Sequence, residues 1–103
     1  MQAATETATG GAGPNVSVTV TLAGALTYLF PGVPRRLTLH ARSVRDMVDA
    51  LDADWPGMGD RIVDSTPAIR RHMNVFVDGE RAALDTRLRA GAEVFVLTAI
   101  SGG

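Results

Sequence analysis

The chain has 103 residues, 46% of them hydrophobic, with 10 basic and 11 acidic side chains, a net charge of −1 and no cysteine. That length carries one modest core, and the near-neutral balance argues against a nucleic-acid or anionic-membrane partner. Without cysteine there are no disulfides, no thiolate catalysis and no cysteine-ligated metal, and no apolar run reaches the length of a membrane span.

The opening from Met1 to Glu6 has neither the basic flank nor the apolar stretch of a secretory signal, so the cytoplasm is the expected compartment. Residues 1–15 are mostly Ala, Thr and Gly and close on Pro14-Asn15. They offer little to bury and are expected to be disordered. One folded domain is expected over 16–100, followed by a flexible tail over 101–103.

From Val16 the pattern changes. Val16, Val18, Val20 and Leu22 alternate with Ser17, Thr19 and Thr21, the period of a half-buried strand. Residues 23–36 read as a loop punctuated by Gly24, Pro31-Gly32 and Pro34. Its Leu26, Tyr28, Leu29 and Phe30 leave two readings, a loop folded over the core edge or one that contacts a partner. Leu37 to His40 reads as a second strand, leucines inward and His40 outward.

Ser43 starts a helix, with Asp46 placed as in a capping box. Val44, Met47, Val48, Leu51 and Trp55 form one apolar stripe. Asp46, Asp49, Asp52 and Asp54 lie mainly off it and read as a solvated face, so no metal site is expected. Pro56-Gly57 stops the helix, and Met58 to Val63 adds one irregular turn. Arg70, Arg71 and His72 cluster before the next strand, either as solvated charge or as a local docking site. Met73 to Val77 is a third strand, turned by Asp78-Gly79, a strong short-hairpin signal. Residues 82–84 form a brief return strand, and Ala90-Gly91-Ala92 turns the chain into a last strand from Val94 to Ile100. That strand runs into Ser101-Gly102-Gly103.

The order strand, strand, helix, strand, short strand, strand is an α+β design, a mixed sheet of four to five strands on one main helix. Closing on Gly-Gly, it resembles the β-grasp fold of ubiquitin and the bacterial sulfur carriers. From Val16 to Gly103 the chain is similar to the MoaD/ThiS family. Met73 to Glu80, Gly91 to Val94 and the Ser-Gly-Gly end carry that resemblance. The segment Leu51 to Val63 and the long link before the third strand resemble its CysO-like, cysteine-biosynthesis branch. Ser101 departs from the alanine common in these carriers but keeps the position small.

The resemblance implies that the last strand lies centrally, parallel to the first and antiparallel to the third. It also implies a sulfur carrier rather than an enzyme. The Gly103 carboxylate, ionised and a poor electrophile at pH 7, would be adenylated by a ubiquitin-activating-type enzyme using ATP and magnesium. A sulfur donor, a rhodanese or desulfurase, would convert the acyl-adenylate to a thiocarboxylate. A sulfur-accepting synthase, of the pyridoxal phosphate type in the cysteine branch, would then draw it in. The carrier binds no cofactor itself, is expected to be a monomer alone, and contributes a tail whose Ser101, Gly102 and Gly103 can thread a narrow channel.

All the basic residues are arginine. Biased codon usage explains this, as does the advantage of carrying no competing amine beside an activated carboxylate. If Val75, Val77, Val94 and Val96 face the helix, then Phe76, Phe95 and Leu97 form one exposed apolar patch for a partner. The opposite facing would bury the phenylalanines. Two other classes stay open, a ubiquitin-like modifier forming isopeptide bonds with lysines and a non-catalytic β-grasp interaction domain.

Overall fold

The computed structural model describes residues 15–99. Its elements are β1 (Val16–Leu22), α1 (Gly24–Leu29), β2 (Arg36–Ala41), α2 (Val44–Asp54), α3 (Met58–Ile62), β3 (Met73–Val77), β4 (Glu80–Arg81) and β5 (Glu93–Thr98). The disorder expected for residues 1–14, the end of the last strand at Ile100 and the tail Ser101 to Gly103 lie outside the described residues. Asn15 is described, exposed and ahead of β1.

Among the described residues five strands form one mixed sheet in the order β2-β1-β5-β3-β4. β5 sits centrally, parallel to β1 and antiparallel to β3, the β-grasp arrangement. A central parallel strand is paired on both edges, so its alternate residues are driven fully inside. Val94 and Val96 are completely buried, with Val18, Val20 and Leu22 of β1 and Val75 of β3 beside them.

α2 covers this face. Its Val44, Met47, Val48 and Leu51 are buried in the same cluster as the sheet valines, and Trp55 packs half-buried at the helix end. Ser43 is the N-cap, its hydroxyl accepting the Asp46 N–H at 3.2 Å. Asp46 completes the cap differently from a capping box. Its carboxylate accepts from the Arg42 N–H at 3.3 Å and from Arg42 Nε at 2.7 Å, one residue before the cap. These bonds, the one from the Arg42 side chain first, hold the Asp46 carboxyl below its ordinary pKa.

Asp52 is part of the scaffold rather than of a solvated face. One of its oxygens accepts from the Gly57 and Gly59 N–H groups at 3.0 and 2.8 Å. α2 ends at its C-cap Trp55, and Gly57, left-handed at φ 98°, is the N-cap of α3, which folds back to bury Met58 and Ile62. A Cβ on Gly59 would sit 3.0 Å from Asp52 Oδ1, so Asp52 would have to give way to a side chain there.

Two expected elements are corrected. Residues 24–29 are helical, not loop. The Leu26 and Thr27 N–H groups bond back to the Ala23 carbonyl, Thr27 Oγ1 bonds to the Gly24 carbonyl at 2.8 Å, and Leu26 is buried. Six residues opening on a glycine are too few for a helical period to show against turn signals. The return strand is Glu80–Arg81, not 82–84. Asp78 and Gly79 both take positive φ, 51° and 88°, and a two-residue turn of that kind starts pairing at once. Val77 therefore faces Glu80 and Phe76 faces Arg81.

Candidate functional site

β5 is the last described strand before Gly103. Its Val96 carbonyl accepts from the Ala23 N–H at 2.8 Å, and the Ala99 N–H donates to the His72 carbonyl at 2.7 Å. The chain is thus held on both sides up to Ala99, by the start of α1 and by the residue before β3. Gly103, Gly102 and Ser101 follow within four residues, a span of at most about 14 Å if extended. The structure describes none of these three residues.

Alternation decides what surrounds that exit. With Val75, Val94 and Val96 inward, Phe76, Phe95 and Leu97 take the face away from α2. Phe76 and Phe95 are direct cross-strand partners, and Leu97 faces Asn74 two pairs further toward the chain end. Phe95 is 37% exposed, while Phe76 and Leu97 are half-buried by their neighbours. The structure therefore brings the three residues together in one apolar strip along the strand that delivers the tail. Val77 is only half-buried, at the margin of the core.

Polar and charged groups rim the strip. On β1, Thr21 lies beside Phe95. Its Oγ1 and the Asn74 Oδ1 are both buried without a hydrogen-bond partner among the described residues. Toward β2, Arg36 and Glu93 form a 3.2 Å ion pair, largely exposed. Toward the other edge, Arg81 lies opposite Phe76. At the exit itself stand Arg71 and His72, both exposed. α1 begins at this end of the sheet and presents Tyr28, 84% exposed, and Leu29, 46% exposed. These two side chains suit the partner-contact reading of the 23–36 segment, which also covers the core through Leu26 and Val33.

Chemically, the described surface offers contact and orientation. No group of three His, Asp or Glu side chains among the described residues converges as a metal site would. Sequence reasoning located the apolar strip from strand parity alone. It missed the edge of β3, where an open groove lies between the 67–71 and 81–85 segments. A return strand shorter than its partner is the only sign of it in the sequence.

A model of the ThiS family matches residues 28–103. A search of curated proteins found no match. Solved structures share the fold. SAMP1 from Haloferax volcanii is 28% identical with a TM-score of 0.70, covering 84% of this chain and 99% of its own. A chain of the Amycolatopsis orientalis BexX/CysO complex is 23% identical with a TM-score of 0.74, covering 84% and 99%. CysO from Mycobacterium tuberculosis is 22% identical with a TM-score of 0.72, covering 81% and 99%.

Proposed function

The chain belongs to the ThiS family of small ubiquitin-like carriers, and from that premise we propose that it carries sulfur as a thiocarboxylate on Gly103. The observation that carries this reading is the placement of β5. A strand paired on both edges, with fully buried valines, leads toward Gly103 beside an exposed apolar strip. The family match runs through the same residue.

Each step has a physical reason. The carboxylate attacks the α-phosphorus of ATP, held with magnesium on a ubiquitin-activating-type enzyme, and pyrophosphate leaves. The resulting acyl-adenylate has a good leaving group where the carboxylate had none. The persulfide sulfur of a rhodanese or desulfurase then displaces AMP to give an acyl disulfide, and a thiol reductant attacks the donor's sulfur, leaving as a disulfide with it and releasing the thiocarboxylate. The carrier supplies no acid or base to these steps. Phe76, Phe95 and Leu97 dock it, and Gly102 and Gly103 pass where a Cβ would not. The likeness to CysO and to a chain of the BexX/CysO complex favours a cysteine-forming synthase of the pyridoxal phosphate type as sulfur acceptor.

A second reading draws on the likeness to SAMP1, a small archaeal modifier protein. The same activated Gly103 could pass to lysine amines of other proteins, and the absence of lysine here would prevent self-linked chains. Incubation with ATP, magnesium, an adenylating enzyme and sulfide separates the readings. Replacement of one oxygen by sulfur in the intact mass supports the carrier, and adducts on target lysines with no sulfur species support the modifier.

A further inference from the structure

His72, whose carbonyl holds Ala99, also lines a cleft. The cleft has a volume of about 540 Å³ and is lined by Gly57, Asp60, Arg61, Arg70 and His72, so it lies between α3 and the segment ahead of β3. Its two sides are tied together. The Arg70 N–H bonds to the Ile62 carbonyl at 2.8 Å, Ile69 bridges to Val63, and Arg70 Nε donates to the Asp60 carbonyl at 2.6 Å. The last bond fixes the Arg70 guanidinium at the wall and leaves its four other N–H donors for an acceptor.

The lining is cationic on balance. Arg61 is exposed, and neither it nor Arg70 makes an ion pair among the described residues. Asp60 is the single acid in the lining. Two arginines with a histidine beside them thus face one carboxylate, and a second carboxylate would balance the charge.

Reach decides which carboxylate that is. The Ala99 N–H meets the His72 carbonyl at 2.7 Å, which puts the two backbones about 5 Å apart. Four residues follow Ala99 as far as Gly103, a span of at most about 14 Å, and their only charge is the terminal carboxylate. So short a tether keeps that group at high effective concentration beside the cleft. Glu6 is the one charged side chain of segment 1–14. It lies ten residues ahead of Val16, which starts β1 opposite Ala41, at the end of the sheet away from the cleft.

We propose that the Gly103 carboxylate folds back into this cleft and pairs with Arg61 and Arg70 beside His72, so that the free chain holds its own working end. The proposal rests on the carrier reading in taking Gly103 as that end, and adds how the end is kept before a partner takes it. The pair is open to solvent, so it is weak, screened by salt and readily broken. A partner that draws the tail into a channel must first break it, and only the open fraction of the chain is competent to enter. A thiocarboxylate, still an anion, keeps the contact, and a neutral amide at Gly103 loses it.

The test compares ¹⁵N spectra of the full chain with a free C-terminus and with Gly103 as its amide, without ATP, enzyme or sulfur donor. A chain that shows the contact and later gains no sulfur from an adenylating enzyme would count against the carrier reading alone. Amidation should shift the Gly57, Arg61, Arg70 and His72 amides, and about 1 M sodium chloride should abolish most of that difference. Arg61→Gln, at an exposed position, should at least halve the amidation shift at His72. Arg45→Gln, in the first turn of α2 and far from its Gly57 end, should leave that shift unchanged. Shifts confined to residues 99–103, undiminished shifts in Arg61→Gln, shifts centred on Phe76 and Phe95, or shifts that fade on dilution as contacts from a second copy would, each overturn the proposal.

Discussion

The Ala99 N–H donates to the His72 carbonyl at 2.7 Å, and this bond is where the sheet last holds the described chain before Gly103. His72 immediately precedes β3, so the strand that carries Phe76 also fixes the point from which the tail departs. The apolar strip and Ala99, the last held residue of the described chain, therefore sit on or beside one hydrogen-bonded pair of strands. Under the proposed function, a partner that grips the strip also sets its distance from Ala99.

Phe95→Asp should separate docking from folding. Phe95 is the most exposed of the three apolar residues on its face, so a charge there stays in water and costs stability only on the order of 1 kcal/mol through strand preference. Removal of a docking aromatic should weaken binding to the adenylating enzyme by about ten-fold or more. Leu97→Asp should weaken binding as well, with a larger loss of stability because Leu97 is half-buried. Calorimetric titration with the enzyme and thermal unfolding give both values. Val96→Asp, one position along and fully buried, should fail to fold.

Leu51→Ala should destabilise the chain by about 2–5 kcal/mol, the range for removing a buried leucine. Leu51 is completely buried where α2 meets the sheet. Denaturant unfolding measures this, and a change below about 1 kcal/mol would mean that the helix stripe is not packed as described.

Acid should reveal the Arg42–Asp46 pair. Its hydrogen bonds hold the Asp46 carboxyl below the ordinary value of 3.8. A carboxyl depressed in the folded state adds stability above its unfolded pKa and loses that contribution as pH falls through the folded pKa. The wild type should thus exceed Asp46→Asn at neutral pH by less than about 1 kcal/mol, as befits a partly exposed pair. The difference should close as pH is lowered past 3.8. A gap that persists or widens in acid would contradict this account of the cap.

How much of this was legible depended on how local each signal is. β1 and β3 were readable to the residue because strict alternation and a two-residue Asp-Gly turn leave little freedom. The apolar strip followed from the same parity. α1 was not legible, because Gly24 reads as a break while the helix rests on the tertiary contacts of Leu26 and on the Ala23 to Val96 bond. Asp52 looked like one more solvated acid because its partners, the Gly57 and Gly59 amides, are placed only when the chain folds back. The groove beside β3 is a product of strand length and two distant loops, which no short window contains.

The most direct measurement of the central claim is the intact mass of three forms of the chain after incubation with ATP, magnesium, the adenylating enzyme and a sulfur donor. The wild type should gain the difference between sulfur and oxygen, at its C-terminal residue. Deleting Gly103 withdraws the carboxylate by about 3.5 Å, and misplacement of about 1 Å already costs on the order of 100-fold in rate. That form should fold normally and gain no sulfur. Adding an alanine after Gly103 should also prevent the gain, by extending the reacting end and adding a Cβ. Sulfur appearing equally on the shortened or extended chain would contradict the assignment of Gly103 as the working residue.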